Sequence, residues 1–118
     1  SAVMASNHVL TLLADSQDML VKAGADPIMA HDAFHQLVIG TVENFYAGGA
    51  VAAITGPVER GDARTIKNHL LALKRWPQVR DRYRLLALGA LELARLRNPD
   101  RVEAYDALAK LLSEWHSN

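Results

Sequence analysis

The stretch Tyr83-Arg-Leu-Leu-Ala-Leu-Gly-Ala-Leu-Glu-Leu-Ala94 decides the fold class. Tyr83, Leu86, Ala87, Ala90, Leu91 and Ala94 recur at intervals of three and four residues. That is the period of a helix with one buried face; a half-buried strand would alternate every second residue. The predicted helix runs from about 79 to 96. Pro77 precedes it, where a missing N–H costs least.

The same period extends outward in both directions. On the C-terminal side, Asn98-Pro99 reads as a cap followed by proline, opening a helix with Val102, Tyr105, Leu108, Leu112 and Trp115 inward. On the N-terminal side, a helix beginning after Asp62 carries Ile66, Leu70, Leu71 and Leu73 towards Trp76. Two more precede it. One spans about 2–23 and is stopped by Gly24. The next opens at Asp26-Pro27, places Ala30, Phe34, Leu37, Val38, Thr41, Val42 and Phe45 on one stripe, and ends at Gly48-Gly49. Residues 50–54 form one further short turn. The expectation is an all-α domain of five to six helices over residues 1–118, without internal repeats or low-complexity segments.

Composition narrows the function classes. The chain has 118 residues, half of them hydrophobic, enough for a packed core. Lys plus Arg and Asp plus Glu both number 13, so no charge excess points to nucleic acid or an anionic membrane. Without cysteine there is no disulfide, thiolate metal site or cysteine nucleophile, which fits a cytoplasmic location. No apolar run reaches the roughly 20 residues of a membrane span. The opening Ser-Ala-Val-Met-Ala-Ser-Asn lacks the basic residues of a signal peptide, and none is expected.

Between the second and third long helices lies Ala53-Ile-Thr-Gly-Pro-Val-Glu-Arg-Gly-Asp-Ala-Arg-Thr65, polar and punctuated by Gly and Pro. It gathers a hydroxyl (Thr55), a flexible and a rigid residue (Gly56, Pro57) and a guanidinium (Arg60). Asp62 is placed to cap the next helix. Loops on a helical scaffold are where binding groups concentrate. A plain connection is the alternative.

The first helix is apolar on most sides: Val3, Met4, Val9, Leu10, Leu12, Leu13, Met19, Leu20 and Val21 exceed a narrow stripe. Such a helix must be covered on most sides. A partner subunit or domain is the favoured cover; a central place in the bundle is the other option.

Other constellations are weaker. His31 and His35 share the i, i+4 spacing of zinc ligands, but the intervening residues lack a zincin glutamate and no further ligand completes the set, so no metal is expected. His8, His69 and His116 are scattered. Ser6, Ser16, Ser113 and Ser117 lack a nucleophile-elbow pattern. No glycine-rich dinucleotide loop or P-loop occurs. The basic residues Lys74, Arg75, Arg80, Arg82 and Arg84 read as a solvated helix junction, with a phosphate contact as the alternative.

Several segments together resemble a family: Ala5-Ser-Asn7 before an apolar helix ending Lys22-Ala-Gly24, then Gly40-Thr-Val-Glu-Asn44, Thr55-Gly-Pro57 with Arg60-Gly-Asp62, and Tyr83 to Ala94. From about residue 2 to 95 they are similar to the helical C-terminal half of Rossmann-type oxidoreductases known as domain of unknown function 2520. That family is similar to 6-phosphogluconate dehydrogenase-like proteins and pyrroline-5-carboxylate reductase. The resemblance implies a 6-phosphogluconate dehydrogenase C-terminal-like helical domain. Such a domain forms a homodimer and completes a substrate pocket. NADP or NAD would be held by an N-terminal Rossmann domain, expected on a preceding segment or a separate polypeptide. Asn7, Asn44, Thr55, Gly56, Pro57 and Arg60 are the implied substrate-binding positions. Thr55-Gly56-Pro57 takes the place of the reductases' Thr-Ser-Pro-Gly-Gly-Thr-Thr loop, followed here by a longer, charged run. No residue is matched to a catalytic role. This chain by itself is expected to bind no cofactor and to be inactive. The competing reading is a non-catalytic helical dimerisation or interaction module.

Overall fold

A computed structural model describes residues 1–115; His116 and Ser117 lie outside the described residues. All regular structure in them is helical. Among the described residues five helices have ten residues or more and Pro27–Asp32 forms a shorter sixth, with single-turn helices besides, as the sequence period requires. No described helix is long and apolar enough to cross a membrane. The chain divides into two compact units, Ser1–Glu43 and Asn44 onward, with the boundary inside one helix.

The first unit holds α1 (Ala2–Ala5), α2 (Asn7–Lys22), α3 (Pro27–Asp32) and the first part of α4 (His35–Gly48). The expected unbroken helix over 2–23 is interrupted at Ser6, whose backbone sits at φ −128°, ψ −81°. Its hydroxyl donates to the Ala2 carbonyl at 2.7 Å. A serine that bonds back to its own helix in this way competes with the backbone ladder. At the other end Gly24, at φ +105°, closes α2. Its N–H donates to Val21 O at 2.9 Å and the next N–H, of Ala25, to Leu20 O at 3.0 Å. This pair of bonds is a Schellman motif, which needs a left-handed residue that glycine supplies without strain. Asp26 caps α3, accepting from the N–H groups of Ile28 (2.9 Å) and Met29 (3.2 Å). The second expected helix is also broken, between Asp32 and His35, which separates the His31–His35 pair onto two helices; nothing in the local sequence explains the break. No residue of α2 is buried, and Met4 and Leu10 are 67% and 64% exposed. Within its own unit α2 is therefore not a core helix. Among the described residues of the unit, Ala30 alone is buried.

The second unit carries the core. It comprises the end of α4, α5 (Ala50–Ala53), α6 (Ala63–Ala72), a 3-10 turn (Leu73–Arg75), α7 (Pro77–Arg97) and α8 (Val102–Glu114). Ile66 and Leu70 from α6, Ala87, Leu91 and Ala94 from α7, and Tyr105, Leu108 and Leu112 from α8 pack together around Val58. The small residues of α7 let α8 approach closely. Three expected core positions face out instead: Leu71, Leu86 and Val102 are each about half exposed. In α7 the buried line runs through 80, 87, 91 and 94, one helical step away from Leu86. That line ends in a charged residue. Arg80 is buried at 3% exposure, so the expected solvated junction is corrected at this position. Asn98 does not cap α8, which begins only at Val102 after Arg101; it closes α7, and its side chain turns elsewhere.

Gly61 is required twice over. It sits at φ +71°, and a Cβ there would lie 2.8 Å from the Ala104 Cβ. Gly61→Ala should destabilise the second unit by roughly 1–3 kcal/mol from backbone strain, plus the overlap. Gly56→Ala, strained at φ +95° but facing open space, should cost less. Urea denaturation of the two variants tests the order; equal costs would show that the approach to Ala104 is not tight.

Candidate functional site

The segment from Ile54 to Asp62 leaves regular secondary structure but not order. Its own backbone closes it: Arg60 N–H donates to Gly56 O at 3.1 Å, Gly61 N–H to Val58 O at 3.0 Å, and Asp62 N–H to Pro57 O at 2.8 Å. Val58, 8% exposed, anchors the turn in the core.

The remaining carbonyls are met by the corner where α7 gives way to α8. Arg97 Nη1 donates to the Ala52 and Ile54 carbonyls at 2.7 and 2.9 Å, satisfying the open end of α5. The buried Tyr105 hydroxyl donates to Glu59 O at 2.6 Å, and Arg101 Nη1 reaches the same oxygen at 3.2 Å. Asn98 Nδ2 donates to Glu59 Oε1 at 2.9 Å and to the Tyr105 hydroxyl at 3.1 Å. Arg97 Nε lies 4.0 Å from Glu59 Oε1, an ion pair that is largely shielded on the glutamate side. Glu59 thus holds the loop through both its carbonyl and its carboxylate.

What this clamp leaves outward is chemically specific. Thr55 and Arg60 are exposed, and neither side chain makes a hydrogen bond or ion pair among the described residues. Gly56 and Pro57 between them are half-buried. Thr55, Gly56, Pro57 and Arg60 therefore share one stiff loop. Asn44 is exposed on α4, at the start of the second unit. Asn7 opens α2 in the first unit and is also exposed. A hydroxyl and a guanidinium on a fixed backbone can meet a carboxylate or phosphate by charge-assisted hydrogen bonds. Among the described residues, no three His, Asp or Glu side chains converge on a metal position.

Asp62 caps α6, as its position before the apolar run predicts. Its Oδ1 accepts the Thr65 N–H at 3.0 Å and its Oδ2 the Thr65 hydroxyl at 2.7 Å. These bonds, first the hydroxyl and then the amide, hold its carboxyl below the ordinary carboxylate range, and the charges of Arg60 and Arg64 push the same way.

The clamp residues Glu59, Arg97, Asn98, Arg101 and Tyr105 were missed by the sequence reading. Partners lie 39 to 46 residues apart along the chain, so no local spacing joins the two halves. Tyr105 showed only as a member of a core stripe.

Asp62 and Arg60 should behave oppositely. A carboxyl with a lowered folded-state pKa stabilises the fold above its unfolded value, and this is lost as pH falls through the folded value. Asp62→Asn should lower the melting temperature at neutral pH, and the gap should close on acidification below the carboxylate range. A gap independent of pH would mean that the charge contributes nothing. Arg60→Ala should leave the melting temperature nearly unchanged, because the guanidinium has no bonded partner to lose; a large drop would place it within the clamp.

The chain belongs to the family described as Domain of unknown function (DUF2520), whose model matches residues 1–90. No curated protein and no solved structure matches it. The family match takes in the loop and its outward residues and ends inside α7, before the clamp residues Arg97, Asn98, Arg101 and Tyr105.

Proposed function

We propose that this DUF2520 chain is the substrate-binding and dimerisation domain of an NAD(P)-dependent oxidoreductase, related to the 6-phosphogluconate dehydrogenase C-terminal-like domains and to pyrroline-5-carboxylate reductase. The observation that carries the reading is the clamped loop, which keeps Thr55 and Arg60 outward and unpaired. Arg60 binds an anionic group of the substrate, and Thr55 hydrogen-bonds its reacting carbonyl or hydroxyl. Gly56 and Pro57 shape the loop, and Asn44 lends a polar side chain. Hydride transfer is the cofactor's chemistry, and the Rossmann domain that holds NADP or NAD is a separate unit. The test uses a protein that joins both domains. There, Arg60→Ala should raise KM for anionic substrates while leaving the fold intact. An unchanged KM would remove the anion-binding role. Titration of this chain alone with NADPH should show no binding at micromolar concentration.

The second part of the proposal is assembly. In the first unit Val3, Met4, Leu10, Ile28, Met29 and Leu37 are each more than half exposed. Long apolar side chains left exposed in this number support an interaction role for the unit. It is also the observation that favours the second reading, a helical dimerisation module without chemistry. Both readings expect a homodimer, whose interface should bury about 2,000 Å² or more if it is obligate. Light scattering at micromolar concentration should return twice the chain mass of 12.9 kDa; a monomer would sink the assembly role in either reading.

A further inference from the structure

The buried line of α7 ends in two arginines, Arg80 and Arg84, one helical turn apart and on the same side of the helix as Ala87, Leu91 and Ala94. The Arg80 side chain is 4% exposed. Its Nη2 and the Nε of Arg84 are shielded from water and have no hydrogen-bond partner. Arg84 Nη1 donates to the Leu112 carbonyl at 3.2 Å, which sets the pair beside the last turn of α8. One neutral carbonyl is a small counterweight to two full charges.

A guanidinium cannot escape burial by losing its proton, as a lysine or histidine can. It needs an acceptor and, when shielded from water, a negative charge. Asp81 Oδ1 lies 3.8 Å from Arg80 Nη2, beyond hydrogen-bond reach, and its side chain is 38% exposed. Arg84 pairs with no carboxylate among the described residues. The neighbouring Tyr83 hydroxyl is 2.8 Å from His69 Nδ1. Burial pushes its pKa up to about 12, so it stays neutral and supplies no counter-charge. Among the described residues the pair thus has one counter-charge, the long and partly exposed ion pair from Arg80 to Asp81, and neither Arg80 Nη2 nor Arg84 Nε has an acceptor.

We propose that Arg80 and Arg84 together bind a small oxyanion, a phosphate or carboxylate group, at the end of the second unit where α7 begins and α8 ends. The start of α7 adds a positive field beside Arg80, and the end of α8 an opposing negative one beside Arg84. The planar forks of two arginines suit an oxyanion with several oxygens, because each fork can offer more than one N–H. Both orphaned atoms are covered, so the anion reaches them when this end of the unit opens locally and then keeps it closed. Added stability is accordingly the direct readout. The site is separate from the Thr55–Arg60 loop and needs neither a cofactor domain nor a substrate, so its failure leaves the oxidoreductase reading untouched.

The test is thermal unfolding of the chain at constant pH and ionic strength, replacing chloride with inorganic phosphate in one series and with acetate in another. A saturable rise in melting temperature with either anion supports the site and identifies the chemistry it takes. Arg80→Gln and Arg84→Gln should each abolish that rise. Lys74→Gln with Arg75→Gln, at exposed neighbouring positions, should retain it. If either arginine variant fails to fold, the Arg84 Nε–H resonance of the unaltered chain decides: it should move on phosphate or acetate titration and saturate with the same midpoint as the melting shift. No anion-specific shift in the unaltered chain, or an equal shift in the arginine variants, would overturn the proposal.

Discussion

The bond from the Tyr105 hydroxyl to the Glu59 carbonyl is the constraint on which the second unit's architecture turns. The loop anchors itself in the core through Val58, which carries backbone carbonyls away from water. Each such carbonyl must find a donor, since an unmet one costs about 1–3 kcal/mol. Tyr105 supplies one from within the core, at 1% exposure and 2.6 Å. Arg97, Asn98 and Arg101 supply the others from the α7–α8 corner. The corner and the loop therefore specify each other. Gly61 fits the same arrangement, because a side chain there would meet Ala104 on α8 and hold the two apart.

The parts of the structure that were legible in the sequence are those decided within a few residues. The three-four period gave the helices and the fold class. Gly24, Asp26 and Asp62 gave their ends by capping chemistry that acts two to five residues away. The failures have the opposite character. Asn98 has the look of a cap, but Glu59 and Tyr105 compete for its amide, and these tertiary partners win. Ser6 breaks a helix that its neighbours would continue. Arg80 and Arg84 continue the apolar line of α7 at the right spacing, yet their charge disguises them as surface residues. Of the candidate site, Thr55 to Asp62 could be picked out as an unusual loop. What holds it could not, because the holding groups are distant in sequence.

The two units differ in what they bury. Ile66, Leu70, Leu108 and Leu112 are fully buried in the second. In the first, long apolar side chains remain on the surface and Ala30 is the buried residue among those described. At roughly 25 cal/mol per Å² of apolar surface removed from water, the second unit holds most of the hydrophobic stabilisation within the chain. The first unit is built from well-formed helices with good caps, but caps and propensities contribute only about 1 kcal/mol each.

The clamp also sets an order of events along the folding chain. Helix α6 and its Asp62 cap close over three residues and can form early. The loop from Ala52 to Glu59 depends on donors 39 to 46 residues further on, so the entropy of closing that long segment comes before any of its bonds form. The stretch that presents Thr55 and Arg60 thus depends for its shape on a part of the chain that follows it at long range. A chain cut before Arg97 would retain the loop's residues, the α6 cap and the whole span of the family match, while losing the backbone geometry that aims the two side chains.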